Sequence, residues 1–542
     1  MNWQDIAKES QSKVLDSIPS RWRLDFNQYH QYQGLKDVTN VPYTCGLLTE
    51  EQLKVTELTA TEIVKKVENR ELKAVQVLEA FAGRAAIAHQ LVNCLTEWYY
   101  EEGLAQARDL DEALEKGGHL KGVLHGVPIA LKDIHCIAGH ASTMALVSGR
   151  NNIVSQDSAL VAALRAEGAI FFCKTTMPQS AMAIETVSNL WGRTLNPSNR
   201  DLNAGGSSGG DAVLVAMKGT PLTPSTDLGG SIRVPAAFNG LYALKPTAAR
   251  IPKGGMPDLG QSLIQVSFGP ICHSIEDMEL LTRVINAHPH NRFDVTCAPV
   301  PWRRVEAPEE KLKIGLMKWD GAVMPHPPIL RALEHTKQLL IKAGHEVVNF
   351  KPPFDCWQAL RTTFDIYYQG GADATTAALK ESGEPMIQRL PTYSRSSMFG
   401  SFPLQRFYSG KVRDYKEQFL AAWNKTANDG RSIDALICPP APGVGYPHDF
   451  NTYWGYTSLF NLIDYPAAIL PIPGLKVSSE QDSPDVDYVP LDTNPYDKLN
   501  HEIYDPNRFE NQAICIQVVG RPFEDEELIQ LSSTLDALLR GL

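Results

Sequence analysis

Two glycine-serine segments carry the side chains best placed for chemistry: Ala204-Gly-Gly-Ser-Ser-Gly-Gly-Asp211 and Thr226-Asp-Leu-Gly-Gly-Ser-Ile-Arg233. Glycine opens backbone geometries closed to other residues and lets main-chain N–H groups approach a ligand. Each cluster holds serine, and Ser231 follows Ser207 by 24 residues. Two such loops suggest convergence on one site. As flexible turns alone they would need no function, but both are embedded in apolar sequence. A phosphate loop requires G-x-x-x-x-G-K-[ST], and neither cluster is followed correctly by lysine. Gly206-Ser-Ser-Gly-Gly210 does satisfy G-x-S-x-G, centred on Ser208. That esterase elbow needs a strand directly before it, whereas Asn196-Pro-Ser-Asn-Arg-Asp-Leu-Asn203 is a polar, turn-forming run. The remaining arrangement is Lys132 at the end of a strand, Ser207 in one loop and Ser231 in the other.

The elements that must position these groups are legible in outline. Val127-Pro-Ile-Ala-Leu131 is a short apolar strand running into Lys132, and Ala169-Ile-Phe-Phe-Cys173 is another, with a helix over 157–167 between them. Thr59-Ala-Thr-Glu62 has the form of a capping box opening a helix to Glu68. Further helices are expected over 73–91, 104–116, 274–287 and 329–343, and from Glu524 to the C-terminus. Strands are expected at 313–317, 346–348 and 436–438. Strands alternating with helices give the α/β class, a sheet covered by helices on both faces. Residues 1–55 read as an N-terminal arm packing on the body, and 474–511, polar and acidic without periodicity, as a surface loop. No linker divides the rest, so 56–542 is expected to form one large domain.

Beyond these features the chain resembles a known family. Gly126-Val-Pro-Ile-Ala-Leu-Lys-Asp133, Gly205-Gly-Ser-Ser-Gly-Gly210 and Thr226-Asp-Leu-Gly-Gly-Ser-Ile-Arg-Val-Pro235 look like the three parts of the amidase signature. The spacing of 75 residues from Lys132 to Ser207 matches as well. Lys174-Thr-Thr-Met-Pro178, Leu190-Trp-Gly-Arg-Thr-Leu-Asn-Pro197, Leu244-Lys-Pro-Thr247 and Phe460-Asn-Leu-Ile-Asp-Tyr-Pro466 extend the likeness. It covers about residues 55–540, with the signature core at about 122–250, and is nearest to the fungal acetamidase-like and fatty-acid-amide-hydrolase-like branch. The sequence departs from the family pattern at Ala204, Asp211, Ala243, Pro224-Ser225 and Ser142-Thr-Met-Ala145, none of which removes a catalytic group.

The resemblance implies a single amidase-signature domain around a mixed central sheet, and a Ser–Ser–Lys triad. Ser231 attacks the amide carbonyl, Ser207 passes its proton, and Lys132 is the base. The amine or ammonia leaves and water releases the acid from an acyl-enzyme. Serine needs a positioned base to become nucleophilic. A lysine of ordinary pKa, about 10.4, becomes that base only when burial lowers it. The other reading of Lys132 is a surface lysine paired with Asp133, and the signature spacing argues against it. The resemblance also implies a cis peptide after Gly206 and a supporting hydrogen bond from Ser208 to Lys132. Main-chain N–H groups of Leu228, Gly229, Gly230 and Ser231 would form an oxyanion hole, one donor of which is typically worth about 3 kcal/mol. Asp227 and Arg233 are expected as a structural ion pair; the resemblance implies Ala181 and Met182 as acyl-pocket lining, the other reading being ordinary helix packing, which is favoured for Met182. Runner-up readings are an acyltransferase using the same acyl-enzyme, an esterase on Ser208, and a subunit of an amidotransferase.

Composition disfavours macromolecular partners, and the resemblance implies a small-molecule amide as substrate. The net charge is −11, from 51 basic and 62 acidic residues, and no basic stripe occurs, which disfavours nucleic acid. No apolar run is long enough for a membrane span, and the first residues lack a signal-peptide pattern. Nine widely spaced cysteines without a C-x-x-C pair fit reduced thiols and a cytoplasmic location. His288-Pro-His290 lacks a third ligand, so no metal is expected, and the triad requires no cofactor. His135 and His140, close after Lys132, are the alternative bases. Trp319-Asp320 and Tyr453-Trp454 either rim a pocket or pack. A homodimer is compatible with the chain.

Overall fold

The computed structural model describes residues 2–541 except 258–262, 288–293, 295–296, 309, 369–372, 388–401 and 429. Strands β1 (Leu95–Trp98), β2 (Pro128–Lys132) and β3 (Ile170–Thr175) form a small sheet in the order β1-β3-β2. β3 runs antiparallel to β1 and parallel to β2. A ribbon joins β4 (Val187–Ser188) to β5 (Gly192–Arg193).

The large sheet holds β6 (Leu222–Asp227), β7 (Tyr242–Lys245), β8 (Ser267–Cys272), β9 (Lys313–Leu316), β10 (Glu346–Asn349), β11 (Ala435–Cys438), β12 (Ala467–Lys476) and β13 (Ala513–Val519). Their order is β10-β9-β11-β13-β12-β7-β8-β6. β9 runs parallel to both β10 and β11, and the other neighbouring pairs are antiparallel, so the sheet is mixed.

Side chains alternate between the two faces of a strand, and here each face meets a helix. Leu244, Leu470 and Ile516 join one core with Leu528, Leu531 and Leu535 of the helix Asp525–Arg540. The intervening Ala243, Ile469 and Cys515 pack with Ala236 and Ala237 of the helix Arg233–Phe238. This is the α/β architecture expected, with helices on both faces.

The positioning elements fall close to their sequence signals. Thr59 caps the helix Ala60–Glu68 in a capping box with Glu62. The helix Ala74–Val92 follows, and β2 ends at Lys132. The helix expected from Leu104 begins at Tyr100; its first turn carries Glu101 and Glu102, which interrupt the apolar pattern. Residues 1–55 are largely helical, and Val14, Ile18, Trp22 and Leu24 share a core with Leu78, Ala82 and Phe172.

The reading of 474–511 as an unbroken loop requires correction. β12 runs on to Lys476, and Pro495–Ile503 is a helix. Asn494 accepts from Tyr496 N–H at its start, Pro495 fits a first helical position, and Tyr496 and Asn500 are buried. One short buried stripe in polar sequence leaves too little periodicity to read.

Among the described residues no helix is long and apolar enough to cross a membrane.

Candidate active site

Three segments deliver the site. β2 carries Lys132 to its last position. The glycine loop before the helix Gly209–Ala216 carries Ser207 and Ser208. β6 ends at Asp227 and turns through Ser231 into the helix Arg233–Phe238. β2 lies beside β6, so the small sheet abuts the edge of the large one here.

Lys132 is 0 % exposed. Its Nζ donates to Ser207 Oγ at 2.7 Å, Thr226 Oγ1 at 2.8 Å and Ser208 Oγ at 2.9 Å. No carboxylate lies within ion-pair distance of it among the described residues. Asp133 accepts instead from Thr143 Oγ1, 2.6 Å, and Ala145 N–H, 3.1 Å. Burial disfavours the ammonium and pulls Lys132 down to about 8, against the opposing charges of Asp211, Asp227 and Asp133. Asp211 is also buried and accepts from Ser225 Oγ at 2.6 Å and from Thr175. Burial raises its carboxyl, and the charge of Lys132 partly offsets that rise.

Ser208 donates its hydroxyl proton to the Thr226 carbonyl, 3.3 Å, which leaves its oxygen to accept from Lys132. Ser208 is fully buried. No strand directly precedes the loop, so the setting of an esterase elbow is missing. The Gly206–Ser207 peptide is cis. Added Cβ atoms show why the loop needs glycine. At Gly206 one would lie 2.6 Å from the Ala183 carbonyl, and at Gly210 one would lie 2.5 Å from the Thr176 main chain.

Ser231 is 8 % exposed, and its hydroxyl has no hydrogen-bond partner among the described residues. The two loops meet through main chain: Ser208 N–H donates to the Ser231 carbonyl at 3.1 Å. Asp227 organises the turn. Its Oδ1 accepts from Gly230 N–H at 2.8 Å, and its Oδ2 from Ile232 N–H at 3.1 Å. Arg233 grips both oxygens at 3.0 Å and reaches Asn461 and Gln517. Burial would raise the Asp227 carboxyl, but the Arg233 guanidinium and these hydrogen bonds hold it well below the carboxylate range.

Gly230 N–H is therefore committed to Asp227, whereas the N–H groups of Leu228, Gly229 and Ser231 have no acceptor among the described residues. Buried backbone donors left unpaired are rare. Three around one serine make an anion-binding corner.

Residues 76–529 match the family model described as Amidase. The chain belongs to the amidase family.

An amidase of Gibberella zeae is 60 % identical over 551 residues, covering 100 % of each chain. The acetamidase of Emericella nidulans is 34 % identical, covering 99 % of this chain and 98 % of its own. Among solved structures, a fatty acid amide hydrolase superposes with a TM-score of 0.93 at 29 % identity, covering 99 % of this chain and 95 % of that one. Membership makes this amidase-family chain a hydrolase of carbon–nitrogen bonds other than peptide bonds.

The remaining site expectations divide. Ala181 lies in the tight turn Gln179–Ala181, with φ of 64°. It packs with the core beneath β3, while Met182 packs with Leu228 and Tyr367. His135 is buried, bonded at Nε2 to the Pro224 carbonyl, 2.7 Å, and pushed down to about 3 by burial. His140 sits between Glu97 and Glu102 at 2.9 and 3.0 Å. Neither histidine addresses Ser231. Tyr453 donates to Asp320 at 2.8 Å, and Trp454 packs near Gly229. Among the described residues no three His, Cys, Asp or Glu side chains could hold a metal ion; His288 and His290 lie outside those residues.

Sequence reading missed Thr226 as a third hydroxyl on Lys132. The signal was present: it neighbours Asp227 on β6, and successive strand residues face opposite ways. It also missed Thr457, whose hydroxyl donates to the Gly229 carbonyl at 2.8 Å.

Proposed function

We propose that this amidase hydrolyses a small carboxylic amide to acid plus amine or ammonia through an acyl-enzyme on Ser231, with Lys132 and Ser207 as proton relay. The observation that carries the reading is the buried Lys132 amine, without a carboxylate partner among the described residues, 2.7 Å from Ser207 Oγ. A neutral amine has two N–H groups and one lone pair. Ser208 and Thr226 can accept the two N–H groups, and the lone pair then remains for the Ser207 proton.

In the reaction Ser207 gives its proton to Lys132 and takes that of Ser231 as Ser231 Oγ bonds to the amide carbon. The carbonyl oxygen becomes an oxyanion facing Leu228, Gly229 and Ser231 N–H, with Gly230 holding the turn to Asp227. The relay returns the proton to the leaving nitrogen as the carbon–nitrogen bond breaks. Water, deprotonated by the same relay, then cleaves the Ser231 ester. The unpartnered Ser231 hydroxyl fits a relay that closes once substrate excludes water. Nine free, buried cysteines suit the cytoplasmic location assigned here.

Fluorophosphonate labelling of Ser231→Ala and Ser208→Ala chains tests this. Labelling should vanish in the first and persist in the second; full labelling of Ser231→Ala refutes the assignment.

A further inference from the structure

Every peptide of the turn Asp227–Ser231 is clamped through its carbonyl. In a trans peptide the C=O and the following N–H point in opposite directions, so fixing one aims the other. The Asp227 carbonyl accepts from Asn461 Nδ2, 3.4 Å, and aims Leu228 N–H. The Gly229 carbonyl accepts from Thr457, and the N–H it aims, that of Gly230, goes to Asp227. The Gly230 carbonyl accepts from Val234 N–H, 2.8 Å, and aims Ser231 N–H. The Leu228 carbonyl accepts from the Tyr367 hydroxyl, and the N–H on that peptide is the unpaired donor of Gly229.

We propose that Tyr367 is a positioning residue for the reaction: its hydroxyl pins the Leu228–Gly229 peptide so that Gly229 N–H faces the developing oxyanion. This rests on Ser231 being the nucleophile. Tyr367 ends the helix Cys356–Tyr367, far from both glycine loops in sequence, and is buried. Its ring lies 6.4 Å from that of Phe364, centroid to centroid, in an apolar cluster that also holds Leu228. A Cβ on Gly229 would lie 3.0 Å from Tyr367 Oη, so a side chain there would crowd the hydroxyl. The other clamps come from β6, its following helix or the helix Gly455–Leu462. Tyr367 is therefore the clamp supplied by the helix Cys356–Tyr367, which packs against the helix Gly455–Leu462 that supplies Asn461 and Thr457. Preorganised donors act because they need no reorientation as charge develops. Without the hydroxyl, the peptide is free to tilt and the donor loses its aim.

Tyr367→Phe removes only the hydroxyl. Tyr368→Phe is the control, because the Tyr368 hydroxyl has no partner among the described residues. Rates are counted per fluorophosphonate-labelled Ser231, so misfolded chains drop out. We expect Tyr367→Phe to keep labelling and KM within about twofold, while kcat falls about tenfold or more. Affinity for a substrate-like aldehyde, which binds as a hemiacetal oxyanion, should fall by the same factor, and Tyr368→Phe should match wild type. A Tyr367→Phe kcat equal to wild type, or a loss of kcat without loss of aldehyde affinity, overturns the inference. Persistent labelling of Ser231→Ala would instead strike the nucleophile assignment.

Discussion

Lys132 can act as a base only while uncharged, so its surroundings set the working pH. Burial lowers it to about 8, and three carboxylates oppose that effect, Asp211 foremost. Activity should therefore rise with pH through that value as the ammonium loses its proton. Asp211→Asn removes a charge that stabilises the ammonium, so the inflection in kcat/KM should move to lower pH. An unmoved inflection would exclude the coupling. Lys132→Ala should lower kcat by about a thousandfold or more, because relay members act as a unit; steady-state rates on a simple amide check this. Lys132, Ser207 and Ser231, the proposed triad, stood out in the sequence because they lie in short motifs whose residue types and spacing suggest that chemistry. Thr226 and Tyr367 did not. A strand threonine and a helix-end tyrosine have no local signature, and their roles appear only when distant segments meet.

At the scale of elements, the site depends on turns that accept no extra atoms and on one buried ion pair. Gly210→Ala would force a methyl into the Thr176 main chain and push the helix Gly209–Ala216 away from β3. Overpacking of this kind costs about 1–3 kcal/mol, readable as a lower thermal midpoint, with lost activity from the displaced Ser207. Arg233→Met leaves Asp227 buried and unpaired, which typically costs about 3–5 kcal/mol. A urea midpoint equal to wild type would contradict the role given to this pair. β2, β3 and the capped helix Ala60–Glu68 were readable because each has an apolar run or cap of its own. β12 and β13 were not read: Pro471, Pro473 and Gly474 interrupt the apolar run of β12, and pairing partners lie far along the chain. The helix Pro495–Ile503 was hidden by its single buried stripe.

At the scale of the whole molecule, burial of titratable groups ties stability to pH. His89, His273 and His326 are pushed down to about 4 by burial, and His135 to about 3. The unfolded chain binds these protons near the ordinary value of about 6.5. Between about 6.5 and 4 the unfolded state therefore holds more protons, and stability falls as pH falls. Asp211 and Asp320, raised to about 6, act in the opposite sense below that pH. The raised carboxyls of Asp133, Asp277 and Asp525 act in that opposite sense too, so one histidine is tested at a time: in His89→Gln the drop in urea midpoint from pH 7 to pH 5 should be smaller than in wild type, and an equal drop would contradict its share. The α/β class and both-face covering were legible from alternating elements, whereas the strand order was not, because order is set by contacts between remote segments. The chemistry likewise belongs to the whole fold: Lys132 comes from the small sheet and Ser231 from the edge of the large one. Rapid quenching during turnover of a slow amide, followed by mass spectrometry, tests that convergence most directly. The acyl group should appear on the peptide carrying Ser231 and be lost in Lys132→Ala. An acyl group on Ser208, or an undiminished Ser231 adduct without the lysine, would contradict the account.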